Sequence, residues 1–267
     1  MSSRQAPVRD VAPTVQRLRL RYAKRGRLRF SSHRDFQRAF ERALRRSGVP
    51  MAYSQGFNPH PRVSYANAAP TGTASEAEYV EIAVTVVLDP ERVRAALDQA
   101  LPPGLDVLEV VEVRSSDFVE RLEASVWEIE LPGLDIEAVS AATEALMAAD
   151  EVMVERLMKS GMRTFDARGP VVATAVRSSD LPAVGDASSD ESLVAVSPAY
   201  AILTVVVRHV TPSVRPDDVL VALRHVANLV PPIPARVTRL AQGPLVAGVS
   251  VGAAVDAVSD PLTLDRG

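Results

Sequence analysis

The sequence contains no cysteine among its 267 residues. That absence excludes a disulfide framework, a thiolate zinc site, and an iron–sulfur cluster held by cysteines of this chain. The four histidines do not stand at metal-ligand spacing, and no cluster of three ligands is visible along the chain, so we expect neither a metal nor another cofactor. The sequence therefore favours a protein that acts by binding through its own side chains.

Long hydrophobic runs are also missing. Residues 1–15 lack the apolar run of a signal peptide, and the longest uncharged segment, residues 240–255, is too short and too rich in Gly and Pro to span a membrane. We therefore expect a soluble, cytoplasmic protein without a membrane partner. A hydrophobic content of 47% is still ample for packed cores, and the length allows two domains.

Positive charge is concentrated in the first part of the chain. Residues 1–62 hold 15 Lys/Arg and three acids, a formal charge of +12, whereas residues 63–267 hold 15 Lys/Arg and 30 acids, a charge of −15. This asymmetry predicts that the basic part binds a polyanion. The alternative that the sequence leaves open is pairing of the basic part with acidic residues of the chain itself or of a partner.

The hydrophobic pattern predicts an α+β protein with two ferredoxin-like βαββαβ halves and antiparallel sheets. Residues 16–22 alternate Leu and Tyr with arginine, as in a half-buried strand, which residues 28–30 are expected to resume briefly. Ser32 and Asp35 form the pattern of a capping box, and Gly48 closes the helix that follows. The predicted organisation is a disordered arm at 1–15, a basic N-terminal domain at 16–115, a C-terminal domain at 124–242 with a mobile excursion at 178–192, and a flexible tail at 243–267.

The loop at residues 53–62, YSQGFNPHPR, has a composition typical of a recognition surface. Pro59 and Pro61 fix φ and bias Asn58 and His60 toward extended conformations, which leaves these side chains little entropy to lose on binding. Tyr53 and Phe57 can stack on unpaired bases, and Gln55 and Asn58 can contact base edges. The alternative is that Phe57 fills the core and Asn58 caps a turn.

Several stretches resemble the radical-SAM-linked proteins, an uncharacterised family also described as a domain of unknown function. Besides the 53–62 loop followed by Glu78 and Tyr79, the stretches that carry the resemblance are residues 26–35 (GRLRFSSHRD), 54–59 (SQGFNP), 159–168 (KSGMRTFDAR), 214–220 (VRPDDVL) and 236–240 (RVTRL). The resemblance implies an accessory role beside a separate radical-SAM protein, because members occur fused to such a protein or encoded near it. Since this chain has no cysteine, the iron–sulfur chemistry must belong to that partner.

We therefore predict a non-catalytic module that binds RNA, either tRNA or rRNA, for a radical-SAM partner. Arginine suits phosphate oxygens, and the segment at 159–168 extends the basic set, although Asp166 and Arg168 are also placed to form an internal ion pair. The predicted nucleic-acid-binding residues are Arg19, Arg21, Arg27, Arg34, Arg38, Arg42, Tyr53, Gln55, Phe57, Asn58, His60, Arg62, Lys159, Arg163 and Arg168.

Two other functions remain open from the sequence. A metal-independent endoribonuclease would use His33 or His60 as its general base near an arginine-stabilised phosphate. A scaffold that only docks on the radical-SAM protein would form a complex without affinity for RNA.

Overall fold

The structure, a computed structural model, describes residues 12–55, 57–159, 161–179, 199–248 and 254–266. The chain divides into two compact units, unit 1 (residues 1–122 and 260–267) and unit 2 (residues 123–259). Each is a mixed α+β structure with antiparallel strand pairing, as the sequence predicts. The expected arm lies outside the described residues up to residue 11, and the expected excursion lies outside them from residue 180 onward.

Unit 1 follows the order β-α-β-β-α-β. Its strands lie side by side in the order β4-β1-β3-β2, all neighbours antiparallel, an arrangement compatible with a ferredoxin-like plan. The elements are β1 (Gln16–Lys24), α1 (His33–Arg46), β2 (Val63–Ala66), β3 (Ala74–Val84), α2 (Pro90–Ala100) and β4 (Val107–Glu112).

Both helices of unit 1 pack on one face of its sheet. Leu18, Leu20 and Tyr22 of β1 alternate toward this face and form a core with side chains of α1 and α2, among them Phe40 and Leu97. Burial of these apolar side chains stabilises the fold by roughly 1.5–3 kcal/mol each. The other face, which we call the open face, consequently receives the arginines of β1.

The helix α1 begins where the sequence predicts. The Ser32 side chain accepts a hydrogen bond from the Asp35 backbone N–H, and the Asp35 carboxylate accepts from Ser32. These bonds from Ser32 lower the pKa of Asp35. The helix ends before Gly48, whose φ of +69° only glycine adopts readily. The capping box therefore fixes the start of the most basic helix in the chain.

Unit 2 has the same strand arrangement with one hairpin added. Its sheet has the order β10-β5-β9-β8, and β6 pairs with β7 outside that sheet. The elements are β5 (Ala124–Leu131), α3 (Ile136–Ala148), β6 (Met153–Met158), β7 (Gly161–Asp166), β8 (Val171–Ser178), β9 (Ala201–Arg208), α4 (Pro216–Ala227) and β10 (Arg236–Gly243).

Two local predictions were wrong. Residues Gly26–Phe30 form a 3-10 helix and not a resumed strand, because Gly26 at a φ of +52° turns the chain out of the sheet. Residues 161–166, expected between strands, form β7, which pairs with β6 from Met153 to Met158. The sequence conceals this strand because only Phe165 of its side chains is buried.

The prediction of a flexible tail at 243–267 is also wrong for the residues of this range that the structure describes, because they form regular contacts. Leu245 and Val258 pair in a β-bridge, and residues Ala254–Asp256 form a 3-10 helix. From Asp260 the chain returns to unit 1, where Leu262 joins a buried cluster with Tyr79 and Phe118 on the open face. No helix in the described ranges is long and apolar enough to cross a membrane.

Replacement of Leu262 tests whether this terminal segment is part of the fold. Leu262→Ala should lower the free energy of unfolding by about 2–5 kcal/mol, because the side chain is fully buried. Leu264→Ala is the matched control, since Leu264 is 64% exposed, and it should change stability by no more than about 0.5 kcal/mol. Urea unfolding measures both, and equal small effects would contradict the packing of the segment.

Candidate nucleic-acid interface

The arginines predicted to form one basic surface lie on opposite sides of unit 1. Alternation along β1 places Arg17, Arg19 and Arg21 on the open face, whereas the arginines of α1 point away from the sheet on the helix side. A sheet one layer thick separates the two groups. The prediction of a single surface that includes strand and helix arginines is therefore wrong.

Arg19 is buried and belongs to a structural ion-pair network. Its side chain is 2% exposed, pairs with Asp265, and donates to Glu81 at 3.0 Å. The guanidinium also lies 4.1 Å from the ring centre of Phe118. Arg19 is thus inaccessible to a nucleic acid, and its assignment as a phosphate contact is corrected.

Asp265 is the hub of this network. Burial on its own would raise the pKa of Asp265. Its carboxylate, however, accepts hydrogen bonds from the Ser115 hydroxyl at 2.6 Å and from the backbone N–H groups of Arg114 and Ser115. These bonds and the positive charge of Arg19 outweigh the effect of burial and lower the pKa. Arg121 approaches the second carboxylate oxygen at 3.3 Å. The carboxylate therefore remains charged in the folded protein at neutral pH.

Other cations of β1 and the turn after it are also neutralised within unit 1. Arg17 donates two hydrogen bonds to Glu81, and a guanidinium nitrogen of Arg21 lies 3.9 Å from a carboxylate oxygen of Glu109. Arg25 pairs with the carboxylates of Glu76 and Asp106. Counted by folded unit, unit 1 holds 20 Lys/Arg and 16 acids, a charge of +4, and unit 2 holds 10 and 17, a charge of −7. Much of the basic charge in the sequence thus serves internal pairing, the alternative that composition left open.

The arginines of α1 are different. Within the described residues they are exposed and, except for Arg46, which donates a hydrogen bond to the Ala100 carbonyl, they form no ion pair or hydrogen bond. Arg38 still lies near enough to Asp35 to contribute to lowering the pKa of that carboxyl. Arg27, in the preceding 3-10 helix, is likewise exposed without an ion pair in the described ranges. We call the following set the helix arginines: Arg34, Arg38, Arg42 and Arg45.

His33, at the start of α1, has a structural environment. One ring nitrogen lies 3.0 Å from the Gln37 amide, and the ring packs edge-on against Tyr65 at 5.0 Å. Burial, with a smaller effect from Glu41, raises the pKa of Tyr65. These contacts orient His33 along the side of the helix and supply it with no acid or base partner for catalysis among the described residues.

The 53–62 loop projects from a closed base. Tyr53 and Pro61 pair in a β-bridge, the Ser54 N–H donates to the His60 carbonyl at 2.9 Å, and the Ser54 hydroxyl lies 3.0 Å from Nδ1 of His60. Phe57 at the tip is 55% exposed, so the alternative in which it fills the core is wrong. Tyr53 is 41% exposed, and Gln55 and Asn58 are exposed as well.

A groove lies behind this loop, on the open face. It has a volume of about 560 Å³ and is lined by residues of the loop, β1, β2 and β3, including Arg17, His60, Arg62, Ser64 and Glu81. A second cavity of about 340 Å³, lined by Tyr53 and Gln55, shares Thr14, Ser54 and Arg62 with it. Sequence reasoning missed Ser64 and Glu81. The sequence pattern that could have indicated them is a polar residue between two apolar ones on each of two paired strands, Val63-Ser64-Tyr65 and Val80-Glu81-Ile82.

The basic segment of unit 2 divides into exposed and structural residues. Lys159 and Arg163 are exposed on the β6–β7 hairpin. The Arg168 guanidinium instead donates to the carbonyls of Met147 at 2.9 Å and Val171 at 3.1 Å, which corrects its assignment as a phosphate contact. Asp166 accepts the Arg168 backbone N–H and not its side chain, so the expected internal ion pair is absent from the described contacts.

Comparison with known proteins gives a family without an activity. Residues 17–216 match the family described as "Uncharacterized protein conserved in bacteria (DUF2344)". A search of the curated proteins gives no match. The matched range includes the helix arginines, the 53–62 loop and the hairpin of unit 2.

Asp265→Asn tests the buried network. It should lower the free energy of unfolding at neutral pH by about 3–5 kcal/mol, because Arg19 would stay buried without the fully buried one of its two carboxylate partners. Since the folded chain lowers the pKa of Asp265, its contribution is complete above the unfolded value of about 4 and is lost as the pH falls through the lower folded value. The difference from wild type should therefore shrink in acid.

Urea unfolding at a series of pH values measures this difference. Asp117→Asn is the matched control, because Asp117 is an exposed aspartate of the same unit, two residues after Ser115, and Asn tolerates its positive φ of 22°. Similar losses for the two variants at neutral pH would contradict the role given to Asp265.

Proposed function

This chain belongs to the DUF2344 family of uncharacterized bacterial proteins, and because that membership brings no activity with it, we propose a function from the surface of unit 1. The protein is an RNA-binding accessory module for a separate radical-SAM protein. RNA lies along the helix arginines, and unpaired bases contact the tip of the 53–62 loop. The module binds and presents its substrate, and the partner carries out the reaction.

The observation that carries the proposal is the exposed row of helix arginines. Positions 34, 38, 42 and 45 recur at helical spacing and extend over about 16 Å of α1, since each residue rises about 1.5 Å. In the described structure no carboxylate pairs with them, in contrast to the arginines of β1. Cations without protein partners remain free to replace the counterions of several phosphates.

Exposed aromatic side chains favour RNA with unpaired bases as the ligand, and not a duplex that is recognised through its phosphates alone. Phe57 projects from a loop with a closed base, and Phe30, 59% exposed beside the start of α1, has the Arg29 guanidinium 4.8 Å from its ring centre. Unstacked bases of single-stranded RNA pack on such rings. Large apolar rings exposed to water are otherwise unfavourable, and base stacking would cover them.

The accessory role is supported by the resemblance to radical-SAM-linked proteins and by the absence of cysteine. We favour binding over ribonuclease activity. His33 packs on Tyr65 beside Gln37, and His60 is tied to Ser54, so neither has a catalytic acid or base beside it in the described part of the chain. RNA cleavage that disappears in His33→Ala or His60→Ala would reverse this preference.

The salt dependence of RNA binding tests the helix arginines. The logarithm of the affinity should fall linearly with the logarithm of the salt concentration, by roughly 0.7 per phosphate contacted on a single strand. Arg38→Ala should flatten this slope by about one contact. Arg92→Ala is the control, because Arg92 is 90% exposed on α2, and its slope should match wild type. Fluorescence anisotropy with total tRNA measures all three.

Phe57→Ala tests base stacking at the loop tip. Binding should weaken by about 1–3 kcal/mol per base lost, while the salt slope stays near that of wild type, because stacking displaces no counterions. Leu157→Ala, which removes a 74% exposed apolar side chain from unit 2, should leave the affinity unchanged. If wild type binds no RNA at low salt, the proposal is wrong and the scaffold alternative remains.

A further inference from the structure

We propose that the groove on the open face of unit 1 binds a nucleoside monophosphate unit, with the phosphate at Arg62 and the base at Tyr53. The helix arginines take no part in this site, because they lie on the other side of the sheet. The two surfaces can therefore be inactivated separately.

Arg62 provides the anion end of the groove. Its guanidinium makes one hydrogen bond, from Nη1 to the Thr14 hydroxyl at 3.1 Å, and no ion pair within the described residues. Most of its five N–H donors are consequently available, in a planar fork that matches phosphate oxygens. Ser64, exposed on the adjoining strand, offers a hydroxyl donor, and His60 also lines the groove.

The acidic residue in the groove does not oppose an anion. Both oxygens of Glu81 are engaged, one by Arg17 at 2.7 Å and the other by Arg19 at 3.0 Å. Asp265 accepts a hydrogen bond from the other amino group of Arg19, Nη1, and so holds the Arg19 guanidinium in position against Glu81. Arg17 keeps an Nη1 amino group that makes no hydrogen bond in the described structure, and its side chain is 56% exposed. The floor of the groove thus carries the carboxylate of Glu81, already paired with arginines, and N–H donors of Arg17 that are still available.

The adjoining cavity provides a site for a planar ring. Tyr53 and Gln55 line it, and it shares Arg62 with the larger groove, so a phosphate and a base attached to one sugar can reach both parts. Tyr53 supplies a stacking face, and the Gln55 amide supplies a donor and an acceptor for a base edge. The two cavities, about 560 and 340 Å³, lie in the range of small-ligand sites and are too small for a duplex.

The walls of this site are held in place before any ligand arrives. The bridge between Tyr53 and Pro61 sets the separation of the two loop strands, and Ser54 accepts the His60 N–H at 3.1 Å. The Arg62 N–H donates to Ala52, and its carbonyl accepts from Ala83 of β3. A preorganised site loses little conformational entropy on binding, which favours a specific small ligand.

Calorimetric titration with adenosine and uridine 5′-monophosphates, the matching nucleosides and inorganic phosphate tests the site. We expect the monophosphates to bind with saturation and more tightly than either fragment. Arg62→Ala should weaken monophosphate binding about tenfold or more and Arg62→Lys by less, because the fork is lost but the charge is kept. Tyr53→Ala should weaken it about fivefold to a hundredfold and leave phosphate binding unchanged.

Arg38→Ala is the control that separates this site from RNA binding along α1, and it should bind monophosphates as wild type does. Competition by oligonucleotides with and without a 5′-phosphate then distinguishes two sources of the ligand. Preference for the phosphorylated end assigns the site to an RNA terminus, and equal weak competition assigns it to a free nucleotide. No saturation up to about 10 mM, or an unchanged affinity in Arg62→Ala, would overturn the proposal whatever the outcome for RNA.

Discussion

The buried pairing of Arg19 with Asp265 and Glu81 is the constraint on which unit 1 depends. A guanidinium in the middle of a sheet is costly unless carboxylates compensate it, and one of these comes from the terminal segment, 246 residues further along the chain. That segment must therefore dock on the open face for the first strand to be accommodated. Its docking also covers Tyr79 and Phe118 through Leu262.

The same network separates structural from functional charge. On the open face, arginines pair with Glu81, Asp265 and Glu109, and among the described residues that line the groove Arg62 and part of the Arg17 guanidinium remain available. On the helix side, α1 buries its phenylalanines in the core and directs its arginines to solvent. The sheet of unit 1 thus separates an extended row of exposed arginines on the helix side from a confined groove with free cationic donors on the open face.

Features that depend on near neighbours could be predicted from the sequence. The capping box needs only Ser32 and Asp35, and the α+β class with most of its helices and strands follows from alternating and helical patterns that hold within each element. The burial of Arg19 could not be predicted, because its carboxylate partner is far away in sequence. The exposure of Phe57 could not be predicted either, because the composition of the loop is the same whether this ring fills a core or projects into solvent. The strand β7 was missed because it buries too few side chains to show an alternating pattern.

We propose that RNA contacts the helix side of unit 1 at α1 and the tip of the 53–62 loop. Ultraviolet crosslinking of bound RNA, followed by mass spectrometry of the adducts, tests it most directly. We expect adducts on the peptides that contain Phe30 and Phe57, and we expect Arg38→Ala to reduce them and Arg92→Ala to leave them unchanged. Adducts confined to the β6–β7 hairpin or elsewhere in unit 2 would contradict it.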